Sequence, residues 1–269
     1  MITNKEILDQ FKELEAKDPI SRSQRFTWPF KLNSLRKTVI SHNGNLGSLF
    51  HWPVTQESLY SGFSPFAESE LTLLDEAHFK VAIDPQVGIG LPYNPSIGMH
   101  VSPAGQSGTY IRQALVCQYL EDFLGRAPAD WGSLFEFGGG YGALASVASR
   151  LGFASRHTVF DFPELHIIQR WYLDQLGIGH NVDYLSSADL SEESYFDIFV
   201  AVCSLGEAPA SLRKDLLYKI GAEHYFIWYT KKFGVDNDAW FKNYFTQEGI
   251  YFEIIDPPNP SQRIIYAES

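Results

Sequence analysis

Apolar residues recur at helical intervals near the start of the chain, where Ile7, Leu8, Phe11 and Leu14 share one face after the possible caps Thr3 and Asn4. A second helical pattern runs over residues 65–83 and stops at Asp84-Pro85. The aromatic stretch 50–66 between them fits neither helix nor strand periodicity. Residues 84–108 hold five glycines and four prolines, a run too long for an ordinary connector, so it is expected to be functional or unstructured. A helix follows over 109–124, with Ile111, Leu115, Tyr119 and Phe123 at helical spacing and Gly125 as its stop.

Beyond this point the pattern alternates. Short apolar runs at 133–137, 157–161, 182–185, 197–204 and 224–230 read as strands. Helical stretches at 142–151, 163–176, 208–220 and 237–247 separate most of them. Parallel strands need crossover connections, so the alternation predicts an α/β fold with a doubly wound, mostly parallel sheet. The last two strands, 250–256 and 263–267, are joined by too short a link for a crossover helix, and an antiparallel hairpin is expected there. The chain divides into residues 1–108, a helical and loop region expected on the lid or substrate side, and residues 109–269, a ligand-binding α/β domain.

Composition narrows the partners. A chain of 269 residues that is 45% hydrophobic can bury a sizeable core. Its formal charge of -11, with no basic cluster, argues against nucleic acid. Cys117 and Cys203 lie in apolar runs and read as reduced thiols. The charged start resembles no signal peptide and no window approaches a membrane span, so a cytoplasmic protein is expected.

The segment FEFGGGYG, residues 135–142, carries the chemistry. Gly138, Gly140 and Gly142 between a strand and a helix let backbone approach a ligand, and the helix start offers unpaired N–H groups. Glu136, two residues ahead of the first glycine, is placed to meet a cationic amine directly or through water. The alternative is a tight turn with no ligand. Asp161, in HTVFDFPEL, stands at the end of the next strand, where a carboxylate can accept both hydrogen bonds of a ribose diol. Phe162 beside it can stack on adenine. Asp161 could otherwise only favour a helix start before Pro163.

FEFGGGYGALA resembles the acid-x-Gly-x-Gly-x-Gly signature of class I S-adenosylmethionine-dependent methyltransferases, and the closing hairpin is similar to their characteristic last strand. VFDFPELHIIQRWYL, YFDIFVAVCSLGEAPASLR and FGVDNDAWF resemble the sugar O-methyltransferase family, over roughly residues 84–269. The resemblance implies a Rossmann-like methyltransferase domain in which Gly138, Gly140 and Gly142 border the methionine part of S-adenosylmethionine and Asp161 holds the ribose. Asp189 would then lie near the adenine amino group, with capping of a turn as its alternative. S-adenosylhomocysteine would be the product. Gly138, Gly140 and Ala143 also satisfy the Gly-x-Gly-x-x-Ala of NAD-binding folds. Glu136, the closing hairpin and the helical region ahead of the nucleotide fold favour methyl transfer.

Methyl transfer to oxygen requires alignment of the acceptor and removal of a hydroxyl proton. The resemblance places Glu207, in CSLGEAP, facing the reacting methyl, where it could take that proton; its alternative role is at the start of the next helix. His100, in the glycine- and proline-rich loop, is a second possible base, or a plain loop histidine. Asp236 and Asn237 could hydrogen-bond a polyol or cap the following helix. Tyr93 and Tyr110 could wall the site or pack. Arg112 could pair with the cofactor carboxylate or remain solvated. The histidines and cysteines lack metal-ligand spacing, so no metal is expected. The leading expectation is an O-methyltransferase acting on a sugar or sugar-like polyol, free or carrier-linked. Its rivals are methylation of another small metabolite, an NAD-dependent oxidoreductase, and a non-catalytic cofactor-binding module.

Overall fold

The computed structural model describes residues 1–17, 28–59, 65–83, 108–186 and 193–269. The chain splits into two compact units, Met1–Tyr119 with Gly140–Leu151 and Pro163–Gly179, and Leu120–Gly139 with Gly152–Phe162 and His180–Ser269. Two helices of the α/β half group with the N-terminal ones in the first unit.

The first unit is helical. It holds α1 (Asn4–Lys17), α2 (Trp28–Ser41), α3 (Pro53–Ser58), α4 (Pro65–Thr72), α5 (Glu76–Ala82), most of α6 (Gly108–Leu124), α7 (Ala143–Arg150) and α8 (Pro163–Gln175). Helix α1 starts with a reciprocal cap in which Thr3 N donates to Glu6 Oε2 (2.8 Å) and Glu6 N donates to Thr3 Oγ1 (3.3 Å). Its expected apolar face is real, with Ile7 and Phe11 buried. Arg36 on α2 donates through Nε to Glu164 Oε1 on α8 (2.5 Å) and through Nη1 to Leu14 O on α1 (3.3 Å). Ile2 N donates to Asp174 Oδ2 (2.9 Å). These links bind α8 to the N-terminal helices and explain the grouping. The single helical pattern over 65–83 resolves into α4 and α5 because Asp75 accepts from His78 N (2.8 Å) and starts a new helix.

The second unit carries a seven-stranded sheet of β1 (Leu134–Phe137), β2 (His157–Phe160), β3 (Val182–Leu185), β4 (Ser194–Val202), β5 (Ile220–Thr230), β8 (Tyr251–Ile255) and β9 (Gln262–Glu268). A separate two-stranded hairpin, β6 (Lys232–Phe233) and β7 (Val235–Asp236), was not expected. The order in the sheet is β3-β2-β1-β4-β5-β9-β8. Strands β1 to β5 pair in parallel, whereas β9 runs antiparallel to both β5 and β8. This is the doubly wound, mostly parallel α/β fold expected above, closing hairpin included.

One face of the sheet packs on α9 (Ala210–Lys219) and α10 (Asn237–Gln247), whose Leu216, Leu217, Phe241 and Phe245 join Phe135, Phe199, Tyr225 and Ile265 in one buried cluster. Alternate residues point to the opposite face. There Phe123, near the end of α6, stacks on Tyr266 with ring centroids 4.2 Å apart. Ser133 donates N–H and hydroxyl to Asp197 Oδ2 (2.5 and 2.7 Å), tying the start of β1 to β4. Those donors hold the Asp197 carboxyl below the usual range against the opposing effect of burial. Among the described residues no helix is long and apolar enough to cross a membrane.

Candidate functional site

Within the second unit the carboxyl ends of β2, β1 and β4 lie side by side. Gly138, directly after β1, donates its N–H to Phe160 O (2.9 Å), the last residue of β2. On its other side Ser204, just past β4, donates its hydroxyl to Phe137 O (2.5 Å). Gly138 has φ +80°, and a Cβ there would stand 2.4 Å from Ser204 Cβ, so no L side chain fits.

The following turn passes into the first unit. Gly140 has φ +59° and nothing within 4 Å of where a Cβ would be, which leaves its backbone open on that side. Its carbonyl accepts from Gln169 Nε2 on α8 (3.0 Å). Gly142 forms the N-cap of α7 and makes no side-chain cap, so no cap side chain competes for the first-turn N–H groups.

Asp161 follows β2 as Gly138 follows β1, in the next register position. Its N–H donates to Leu185 O on β3 (3.1 Å), and its Oδ1 accepts from Phe162 N (2.8 Å). The carboxylate is half-buried, whereas the Phe162 ring is 40% exposed. A carboxylate and a partly exposed aromatic ring therefore stand next to each other at the strand end.

Glu136 is buried on β1, and its Oε2 meets His157 Nε2 at 2.9 Å. His157 opens β2 and pairs with Leu134, two residues before Glu136, so both side chains leave the same face of the sheet. His157 was read only as a histidine without metal-ligand spacing. Strand periodicity with the parallel register is the signal that would have paired it with Glu136.

Glu207 closes a short 3₁₀ turn, Leu205–Glu207, after β4, and it is half-buried. Helix α9 begins later, at Ala210, with Pro209 as its N-cap. The turn is pinned from below. Arg213, buried on α9, donates Nη2 to Gly206 O (2.6 Å) and Nε to Ala208 O (2.7 Å). Asn237 Nδ2 donates to Gly206 O (3.0 Å) and Thr230 O (2.8 Å), and its Oδ1 accepts from Arg213 Nη1 (2.6 Å). Asn237 is 0% exposed, so the expectation that it touches a polyol is corrected: its amide is committed to holding this turn. Arg213 and Ser204 are positioning groups that the sequence reading missed. The Arg213 guanidinium lies over the Trp240 and Phe241 rings (5.3 and 5.9 Å), and burial pulls its pKa below the ordinary arginine value. Asp236 is exposed and caps α10 by accepting from Ala239 N (3.0 Å).

Two further expectations change in the first unit. Arg112 donates Nη2 and Nε to Glu70 Oε1 (2.7 and 3.1 Å), so its guanidinium is paired within the protein instead of awaiting a cofactor carboxylate. Burial pushes the Glu70 carboxyl up, and the arginine offsets this only in part. Tyr110 is 1% exposed, with its hydroxyl 3.3 Å from Ser146 Oγ, and is a core residue instead of a site wall. Tyr93, His100 and Asp189 lie outside the described residues. Among the described residues no three His, Cys, Asp or Glu side chains form a group that could hold a metal ion.

No protein-family model matches the chain, and no curated protein matches it. Solved structures similar to it include a SAM-dependent methyltransferase from Aquifex aeolicus, at 14% identity over 76% of this chain and 98% of that one, with a TM-score of 0.45. Magnesium protoporphyrin IX methyltransferase from Synechocystis PCC 6803 with bound SAM is 12% identical over 60% of this chain and 79% of its own, with a TM-score of 0.48. The SAH-bound Podospora anserina methyltransferase PaMTH1 is 10% identical over 77% and 97%, with a TM-score of 0.46. Likeness at this level does not define what this chain acts on.

Proposed function

We propose that the chain is an S-adenosylmethionine-dependent O-methyltransferase whose acceptor is a sugar or a sugar-like polyol. The observation that carries the cofactor part is the pair of strand ends at β1 and β2. Beside Gly138, which admits no side chain, stand the Asp161 carboxylate and the partly exposed Phe162 ring. These residues fit a nucleoside with a ribose diol and an adenine. Asp161 accepts the two ribose hydroxyls, Phe162 covers the base, and the turn with Gly138, Gly140 and Gly142 borders the methionine part. Asp189 is assigned to the adenine amino group. Bound S-adenosylmethionine supplies an electrophilic methyl and leaves as S-adenosylhomocysteine. Glu207 takes the acceptor hydroxyl proton, with His100 as the second base considered. The acceptor class is supported by the resemblance of residues 195–213 and 233–241 to the sugar O-methyltransferase family and by the carboxylates of Glu207 and Asp236 after β4 and β5.

Purified protein is expected to be stabilised by S-adenosylhomocysteine by about 2.7 kcal/mol at a hundredfold excess over the dissociation constant. Calorimetry that shows NAD binding and no binding of this ligand would overturn the cofactor assignment. Asp161→Ala should weaken S-adenosylhomocysteine roughly 10- to 100-fold, since hydrogen bonds to a charged group are worth about 1.5–3 kcal/mol each. The loss should exceed that of Asp189→Ala. Equal losses would mean that the ribose is held elsewhere.

A further inference from the structure

We infer that His157 is a positioning residue for the cofactor: it fixes the Glu136 carboxylate so that one oxygen is held by the protein and the other is presented to a ligand amine. The inference rests on the cofactor reading above. Its starting point is a buried acid with one bond. Glu136 is 3% exposed, its Oε2 is bonded to His157 Nε2, and Oε1 has no hydrogen-bond partner among the described residues. A buried carboxylate has room for several donors and is poorly stabilised by one. Two residues before Gly138, it stands where a cationic ligand group supplies what the protein omits.

The residue is held through its backbone and through its ring. Its backbone N–H donates to Asn181 O (3.0 Å), anchoring the residue to the segment that leads into β3. Its own strand pairs with β1 through Leu134. Phe153 meets the ring edge to face, with centroids 6.0 Å apart and planes at 86°. His157 is 1% exposed and does not touch the proposed ligand in this role; it acts through Glu136.

Two variants separate positioning from mere packing. His157→Phe keeps a ring against Phe153 and removes the donor. His157→Gln restores an N–H the same three bonds from Cβ. S-adenosylhomocysteine affinity is measured by calorimetry on folded protein, with the melting temperature of the ligand-free protein measured alongside. His157→Phe is expected to bind about tenfold or more weakly, and His157→Gln within about threefold of the parent. In a Glu136→Gln background, His157→Phe should add no further loss of affinity. A structural role alone would lower the melting temperature and leave the affinity of the folded protein unchanged, and that result overturns the inference. If His157→Phe does not fold, His157→Asn, whose amide is one bond shorter, carries the same expectation. If the parent protein binds no S-adenosylhomocysteine, the cofactor reading fails and this inference falls with it. If the parent binds and the donor-free variant binds equally well, only the positioning role fails.

Discussion

Glu207→Gln is expected to lower turnover about 100- to 10,000-fold while leaving S-adenosylhomocysteine affinity nearly unchanged, the range for removal of a general base. The Glu207 turn is fixed through backbone carbonyls of Gly206 and Ala208, which Arg213 and Asn237 hold, and through Glu207 N donating to Ser204 O at 2.9 Å. None of those bonds uses the Glu207 side chain. Glutamine therefore keeps the turn and one acceptor oxygen but takes no proton at neutral pH. The proposed nucleotide contacts lie with β1 and β2, so binding and chemistry separate. A loss confined to KM would show that Glu207 orients the acceptor, and His100→Ala should then carry the larger loss in kcat. Wild-type rates for both variants on a confirmed substrate would remove both residues from the acid–base role.

Arg36→Met is expected to destabilise the protein by about 3–5 kcal/mol, because it leaves the Glu164 carboxylate buried without its cation. Arg36 and Glu164 are 4% and 1% exposed, and the pair joins α2 to α8 across 128 residues of sequence. Arg36 also donates to Leu14 O, so α1 loses a link as well. The double variant Arg36→Met, Glu164→Leu should recover much of the loss, since a well-packed apolar pair replaces a buried ion pair at little or no net cost. Thermal or urea melts check both. A single variant that melts within about 1 °C of the parent would falsify the claim that this pair holds α2 in place, given roughly 2–4 °C per kcal/mol for chains of this size.

The α/β half was largely legible because its strands are short apolar runs punctuated by glycine and proline. Strand β3 and helix α10 match their expected limits residue for residue. The early starts of β4 and β5 were missed because Ser194, Asp197, Gly221 and Glu223 break the apolar run. Helix α2 was missed because its buried residues include Arg36, which reads as a surface residue until Glu164 is known. The same cause misassigned Arg112 and Asn237. Their partners Glu70, Gly206 and Arg213 lie 24 to 42 positions away, beyond the reach of any local pattern. Gly138, Gly140 and Asp161 could be placed from sequence because a strand-to-helix turn defines its own geometry.

The order β5-β9-β8 also constrains the time course of assembly. Strand β8 precedes β9 in the chain, yet its sheet partner is β9, which lies between β8 and β5. During synthesis at about 5–20 residues per second, β8 is therefore made roughly a second before the strand it needs. Over that interval β5, the eleven-residue strand Ile220–Thr230, presents an open edge of backbone donors and acceptors. The natural filler of that edge is β9, but any extended segment can compete for it. The nascent chain is thus most exposed to mispairing just before its sheet closes, and whatever speeds the docking of Gln262–Glu268 shortens that window.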